Sequence, residues 1–330
     1  MNVRAMCLLV VSVTAAAACK KEAAEPSAAP VPVGPVAEAR ALLEQGQLDA
    51  AFARLQDAAD DPEGLYLQGR VWARKAETAP LPTPVPADPS APRGLAPPAA
   101  PEFKDEELRA LAAYEKAIAA RPELGEAHLA VAELLAPHAV RHLDRQRSAP
   151  APRARRRGAK AEAPAPSAAS TSSAGVEFGA DRIVAEYQAA ARSPQVARAA
   201  ADGLIAFGTR SGRLEAADAG FRQLLELVRE KPEPFIQYGN FLLEQKGDAL
   251  GAIEQYRQAL IWKSDDEATR LRIADIYLTR GAEHFGKQHF ALADEEFKQA
   301  AKWVAPGSPQ EQQLRSYQRQ LLEIRMPAVR

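Results

Sequence analysis

The stretch "GDALGAIEQYRQALIWKSD", residues 247 to 265, decides the fold. Gly247 is followed five residues later by Ala252, then by Tyr256, then by Ala259 and Leu260. Steps of four and three return to one face of an α-helix. The small residues on that face let a second helix approach closely, and the large residue between them fills the gap. The glycine ahead ends the preceding helix and permits a tight turn. Upstream, "GRLEAADAGFRQLLEL" repeats the pattern with Gly212, Ala217, Phe221, Leu224 and Leu225. "GQLDAAFARLQDAADDP" repeats it with Gly46, Ala51, Leu55, Ala58 and Pro62. "ELRALAAYEKAIAARP" gives Ala110, Tyr114, Ala117, Ile118 and Pro122, and "HFALADEEFKQAAKWVAP" gives Ala293, Phe297, Ala300, Ala301 and Pro306. A weaker copy, "DRIVAEYQAAARSP", carries Ile183, Tyr187, Ala190, Ala191 and Pro194. The trailing prolines cannot continue a helix and sit naturally at the start of the next.

A partner helix precedes each copy. Gly69 and Trp72, Ala132 and Leu135, Asn240 and Leu243, and Ala274 and Tyr277 place a small residue and a large one on its face. A period near 34 with these positions resembles the tetratricopeptide repeat, or TPR, a helix–turn–helix unit that stacks into a solenoid. The expected fold is all-α, with about six units over residues 36–306. Residues 307–330 then supply a capping helix and tail, with Leu314, Tyr317, Leu321 and Ile324 on one face.

Composition agrees. Ala is abundant, aromatics are only 6% of the chain, and no apolar–polar alternation marks a strand. The Ala position recurs at 51, 110, 183, 217, 252 and 293. The two large gaps hold Pro/Ala-rich, low-complexity inserts, 78–104 and 148–178, each falling between the two helices of its unit. Insertions at equivalent turns of a solenoid lie along one edge. Residues 141–160 carry eight Arg or Lys against Asp144 alone, a tract that fits either a solvated linker or a surface for anionic lipid or an acidic partner.

The N-terminus reads as an address. Arg4 is the only charge before residue 20, and residues 5–18, "AMCLLVVSVTAAAA", form an apolar run. It is shorter than the ~20 residues needed to span a bilayer, and has the layout of a signal peptide, here residues 1–18. "AAAC", ending at Cys19, resembles the lipobox of bacterial lipoproteins, although Ala16 stands where that family prefers Leu. The alanines would also suit an ordinary signal-peptidase cut. The resemblance implies lipidation of Cys19, since several acyl chains on one residue hold a bilayer firmly. In enterobacterial members of that family an Asp after the cysteine favours inner-membrane retention; here the residue is Lys20, so the resemblance implies the outer membrane, facing the periplasm. Residues 19–35 then form the lipidated end and an extended tether. Cys7 and Cys19 are the only cysteines, so no disulfide or thiolate metal site can form in the repeats.

Catalytic patterns are missing. There is no Gly-rich phosphate loop, no G-x-S-x-G, no H-E-x-x-H and no calcium loop. His138 and His142 stand four apart on one helix face but read as incidental surface histidines, and no metal or cofactor is expected. Net charge is −1, which argues against nucleic acid, and no small-molecule substrate is expected. The TPR resemblance implies a non-enzymatic scaffold that grips a protein or peptide on the concave face of its first helices. Carried onto this chain, that face offers Tyr66, Arg70, Leu129, Glu133, Asp202, Gln237, Phe241, Glu244, Asp275 and Leu278. With one Asn after the signal segment, Asn240, the two-Asn clamp for a C-terminal carboxylate cannot be assembled in its usual form. Six-repeat TPR lipoproteins also resemble pilotins, which help secretins assemble, and a related class helps insert β-barrels. The Pro-rich inserts are not part of that pattern.

Overall fold

The computed structural model describes residues 34–80, 103–148 and 178–325. The signal segment, Cys19, most of the tether and the interiors of both inserts lie outside the described residues.

Thirteen α-helices and no strand occur among the described residues. They pair as six hairpins: α1 (Pro35–Glu44) with α2 (Leu48–Leu55), α3 (Pro62–Thr78) with α4 (Asp105–Ala120), α5 (Gly125–Ser148) with α6 (Ala180–Ala190), α7 (Ala197–Ser211) with α8 (Leu214–Leu227), α9 (Pro232–Phe241) with α10 (Ala249–Trp262), and α11 (Glu267–Gly286) with α12 (Phe290–Ala300). α13 (Pro309–Arg325) closes the end against α11 and α12. Packing joins helices of the same hairpin or of the next one along the chain, which makes the molecule an all-helical solenoid whose stability is a sum of nearest-neighbour terms.

Local sequence sets the boundaries. Pro35, Pro62 and Pro232 open helices, where a missing N–H costs nothing. Asp61 accepts from the Glu63 amide at 3.3 Å and Asp248 from the Gly251 amide at 2.9 Å, capping α3 and α10. In hairpins four and five the turn after the first helix is made by a left-handed glycine, Gly212 at φ 77° and Gly247 at φ 68°, a conformation that a Cβ penalises. In the sixth hairpin the same place is taken by Gln288 at φ 61°. The step from Ala252 to Ala293, longer than the repeat period, is accommodated by α11, which runs for 20 residues.

Packing follows the repeat. A Cβ at Gly69 would meet the Tyr114 ring at 2.4 Å, one at Gly239 the Tyr256 ring at 2.5 Å, and one at Gly281 the Phe297 ring at 2.4 Å. In these hairpins the second helix presses an aromatic ring onto bare first-helix backbone. Tyr187 instead reaches forward to Gly203 of the next hairpin, 2.3 Å from where a Cβ would stand. Hairpins four and five are joined by a stack in which Phe221 lies 5.1 Å from Tyr238 and 5.0 Å from Phe241. Asp218, 3% exposed, accepts from the Tyr238 hydroxyl at 2.8 Å and pairs with Arg222 at 2.7 Å and Lys246 at 3.5 Å. A buried carboxylate persists because its oxygens find donors.

Several sequence expectations change. Phe103 and Phe178, assigned by composition to the two inserts, are 4% and 1% exposed and meet edge to face at 5.7 Å over α5. Both inserts therefore return to the fold at one point. Lys104 belongs to the fold as well: its Nζ donates to Ala76 O at 2.6 Å and Ala79 O at 2.8 Å, tying the root of the first insert shut. His138 is not a surface residue. It is 5% exposed and stacked on Phe103 at 4.0 Å. In α13, Leu314 and Leu321 are buried, but Ile324 is 45% exposed because no further helix among the described residues covers the solenoid end.

Candidate groove on the first helices

The inner faces of α3 and α5 lie side by side and leave an open groove of about 790 Å³ between them. Tyr66 and Arg70 project from α3. Glu126, Leu129, Ala130 and Glu133 project from α5, at intervals of three, four and seven that share one helix face. A second concavity of about 860 Å³ continues it toward α1, sharing Tyr66, Arg70, Glu126 and Val196 and adding the α4–α5 turn through Arg121, Glu123 and Leu124. Arg40 pairs with Glu63 on its N-terminal side.

The floor is apolar and the walls are charged. The Tyr66 ring lies 6.0 Å from Tyr114. Burial raises the Tyr66 hydroxyl above its ordinary pKa, against the opposing pull of Arg70. Desolvation likewise raises the Glu133 carboxyl, again opposed by Arg70. At the far end Glu107 accepts from the Lys104 amide at 2.7 Å and faces His138 Nε2 at 3.4 Å. Desolvation works against its ionisation, but the His138 and Lys104 bonds outweigh this and hold the carboxyl below the usual range. An apolar floor with a few fixed charges suits an extended or helical segment of another chain.

Of the ten positions expected to line a concave face, four come together here: Tyr66, Arg70, Leu129 and Glu133. Asp202, Gln237, Glu244 and Asp275 stand exposed on later first helices, outside the groove. Asp202 is engaged by Arg198 at 3.7 Å. Phe241 and Leu278 are corrected to core positions. They are 5% and 2% exposed, because on α9 and α11 the corresponding face is covered by neighbouring helices. Sequence reasoning missed Glu126, Tyr114 and Val196. Glu126 was detectable, lying seven residues before Glu133 on the same face. Val196 was not, since it reaches the groove from the turn before α7.

His138 and His142 do not converge on a common point. His138 turns to Glu107 and Phe103, and His142 packs on Phe178 at 5.6 Å. Among the described residues no group of three metal-binding side chains occurs, and no helix is long and apolar enough to cross a membrane.

No family model and no curated protein matches the sequence. Similar solved structures include a thermophilic TPR protein of Thermus thermophilus, at 18% identity and TM-score 0.34 over 74% of this chain and 97% of that one. A tetratricopeptide repeat protein of Parabacteroides merdae matches at 11% identity and TM-score 0.38 over 86% and 97%. Pseudomonas aeruginosa pilF matches at 15% identity and TM-score 0.29 over 67% and 85%. Likeness this low carries no functional argument, and the fold stands on the chain's own helix pairing: this chain is an all-helical solenoid of paired helices, with TPR proteins among its structural neighbours.

Proposed function

We propose that this chain is a non-enzymatic, lipid-anchored scaffold of the bacterial cell envelope that holds a protein segment in the α3–α5 groove. The observation that supports it most is the groove itself. It gathers Tyr66, Arg70, Leu129 and Glu133 on one concave surface, a half-desolvated lining of the kind that concentrates binding energy in a few anchors. Attachment through Cys19 at the outer membrane rests on the sequence alone.

Two experiments test the reading. A photo-crosslinking residue at Ala130, on the groove wall, is expected to capture a protein from the membrane fraction. The same probe at Glu254, on the outside of α10, is expected to capture none. Replacing Tyr66 and Arg70 together by Ala should reduce the Ala130 adduct by at least about tenfold, the effect of losing a binding anchor. Equal adducts from both probes would remove the groove from consideration. For the anchor, Cys19→Ser is expected to move the protein from the membrane to the soluble fraction. Continued membrane attachment would rule out lipidation.

A further inference from the structure

We propose that His128 is a protonation-dependent clamp that fixes one wall of this groove. His128 sits near the start of α5. Its Nδ1 lies 2.6 Å from Glu186 Oε2 on α6, and its Nε2 lies 2.9 Å from the Pro122 carbonyl in the α4–α5 turn. Both neighbours offer only acceptors. A neutral imidazole has one N–H and serves one of them, whereas the imidazolium, with two, serves both. The side chains of His128 and Glu186 are only 12% and 18% exposed, whereas Pro122 lies exposed in the turn, so the Glu186 bond is the one screened from water.

The surrounding charges complete the clamp. On α6, Arg182 lies 3.8 Å from the other oxygen of Glu186 and is also held by Glu115 of α4. Arg192, just after α6, opposes the proton on the ring. The hydrogen bond to Glu186 is the largest influence and, despite desolvation, raises the His128 pKa above its ordinary value. The other residues of the same turn, Arg121, Glu123 and Leu124, line the concavity that continues the groove toward α1. The Pro122 bond thus ties a groove wall to the α5–α6 hairpin. A raised folded-state pKa means the clamp is fully set below the unfolded value, about 6.5, and is lost as pH rises through the folded value. On losing its proton the ring keeps its N–H toward the Glu186 carboxylate, and the Pro122 carbonyl goes free.

The test needs no partner, so it stands or falls apart from the scaffold reading. On the full chain, imidazole nitrogen signals are followed from pH 5 to 9, with His128 assigned by its disappearance in His128→Gln. The expected result is a His128 midpoint above about 6.5, falling by about one pH unit in Glu186→Gln. Hydrogen-exchange protection of the Leu124 amide, whose N–H bonds Arg121 O at 3.1 Å, should drop about tenfold between pH 6 and 9 after correction for intrinsic rates, the size of one charge-assisted bond. That drop should be absent in His128→Gln. A midpoint at or below about 6.5, or Leu124 protection that does not change with pH in the wild-type chain, overturns the proposal.

Discussion

Phe297→Ala is expected to destabilise the C-terminal end of the solenoid by about 3–5 kcal/mol, the usual cost of emptying a buried aromatic site. Phe297 is fully buried and stacks on Tyr317 of α13 at 4.9 Å. Its ring edge occupies the space over Gly281 where a Cβ would stand. Truncation leaves a void between α11, α12 and α13 that rigid helices cannot collapse into. Because packing is confined to the same hairpin and its immediate neighbours, the loss should be local. Hydrogen exchange should show α11 to α13 losing protection first, while α3 to α6 keep theirs. A uniform loss across all hairpins would contradict a nearest-neighbour solenoid.

Gly208→Ala and Gly286→Ala should have opposite signs although the chemical change is identical. A Cβ at Gly208 would stand 2.5 Å from the Ala217 backbone nitrogen and 2.9 Å from its Cβ. Neither atom belongs to a flexible side chain, so α7 and α8 must separate, at a cost of about 1–3 kcal/mol. At Gly286, on the last turn of α11, nothing lies within 4 Å. There Ala should be neutral or stabilise by up to about 1 kcal/mol through helix propensity alone. Urea melts of the two variants decide the matter. Equal destabilisation would mean that the hairpin contact at Gly208 is not close-packed.

The repeat was legible because it is local. Spacings of three, four and seven put Ala252, Tyr256 and Ala259 on one face whatever the rest of the chain does, and their burial in the folded protein follows. Hairpin partners were legible for the same reason, since a left-handed glycine such as Gly212 leaves the chain little option but to double back. Composition misled at the insert margins. Phe103 and Phe178 follow Pro- and Ala-rich sequence, yet each is a large apolar side chain next to a helix start, and they cover α5. A lone pair of histidines four apart gave no sign that one would be buried against those two rings.

The sequence by itself determined the class of the fold, the number of hairpins and the inward side of the second helix of each hairpin. Those are properties of short windows, set by helical periodicity and by Gly and Pro backbone preferences. The address proposed around Cys19 rests on the same kind of local reading. Only the tertiary structure decided which first-helix residues face a groove and which are covered. Tyr66, Arg70 and Glu133 line the groove while Phe241 and Leu278 are buried, because the space between successive first helices depends on how neighbouring hairpins pack. It alone also placed His128 between a carboxylate and a carbonyl. Glu186 is 58 residues away in sequence, and a contact across that separation exists only once the hairpins have stacked.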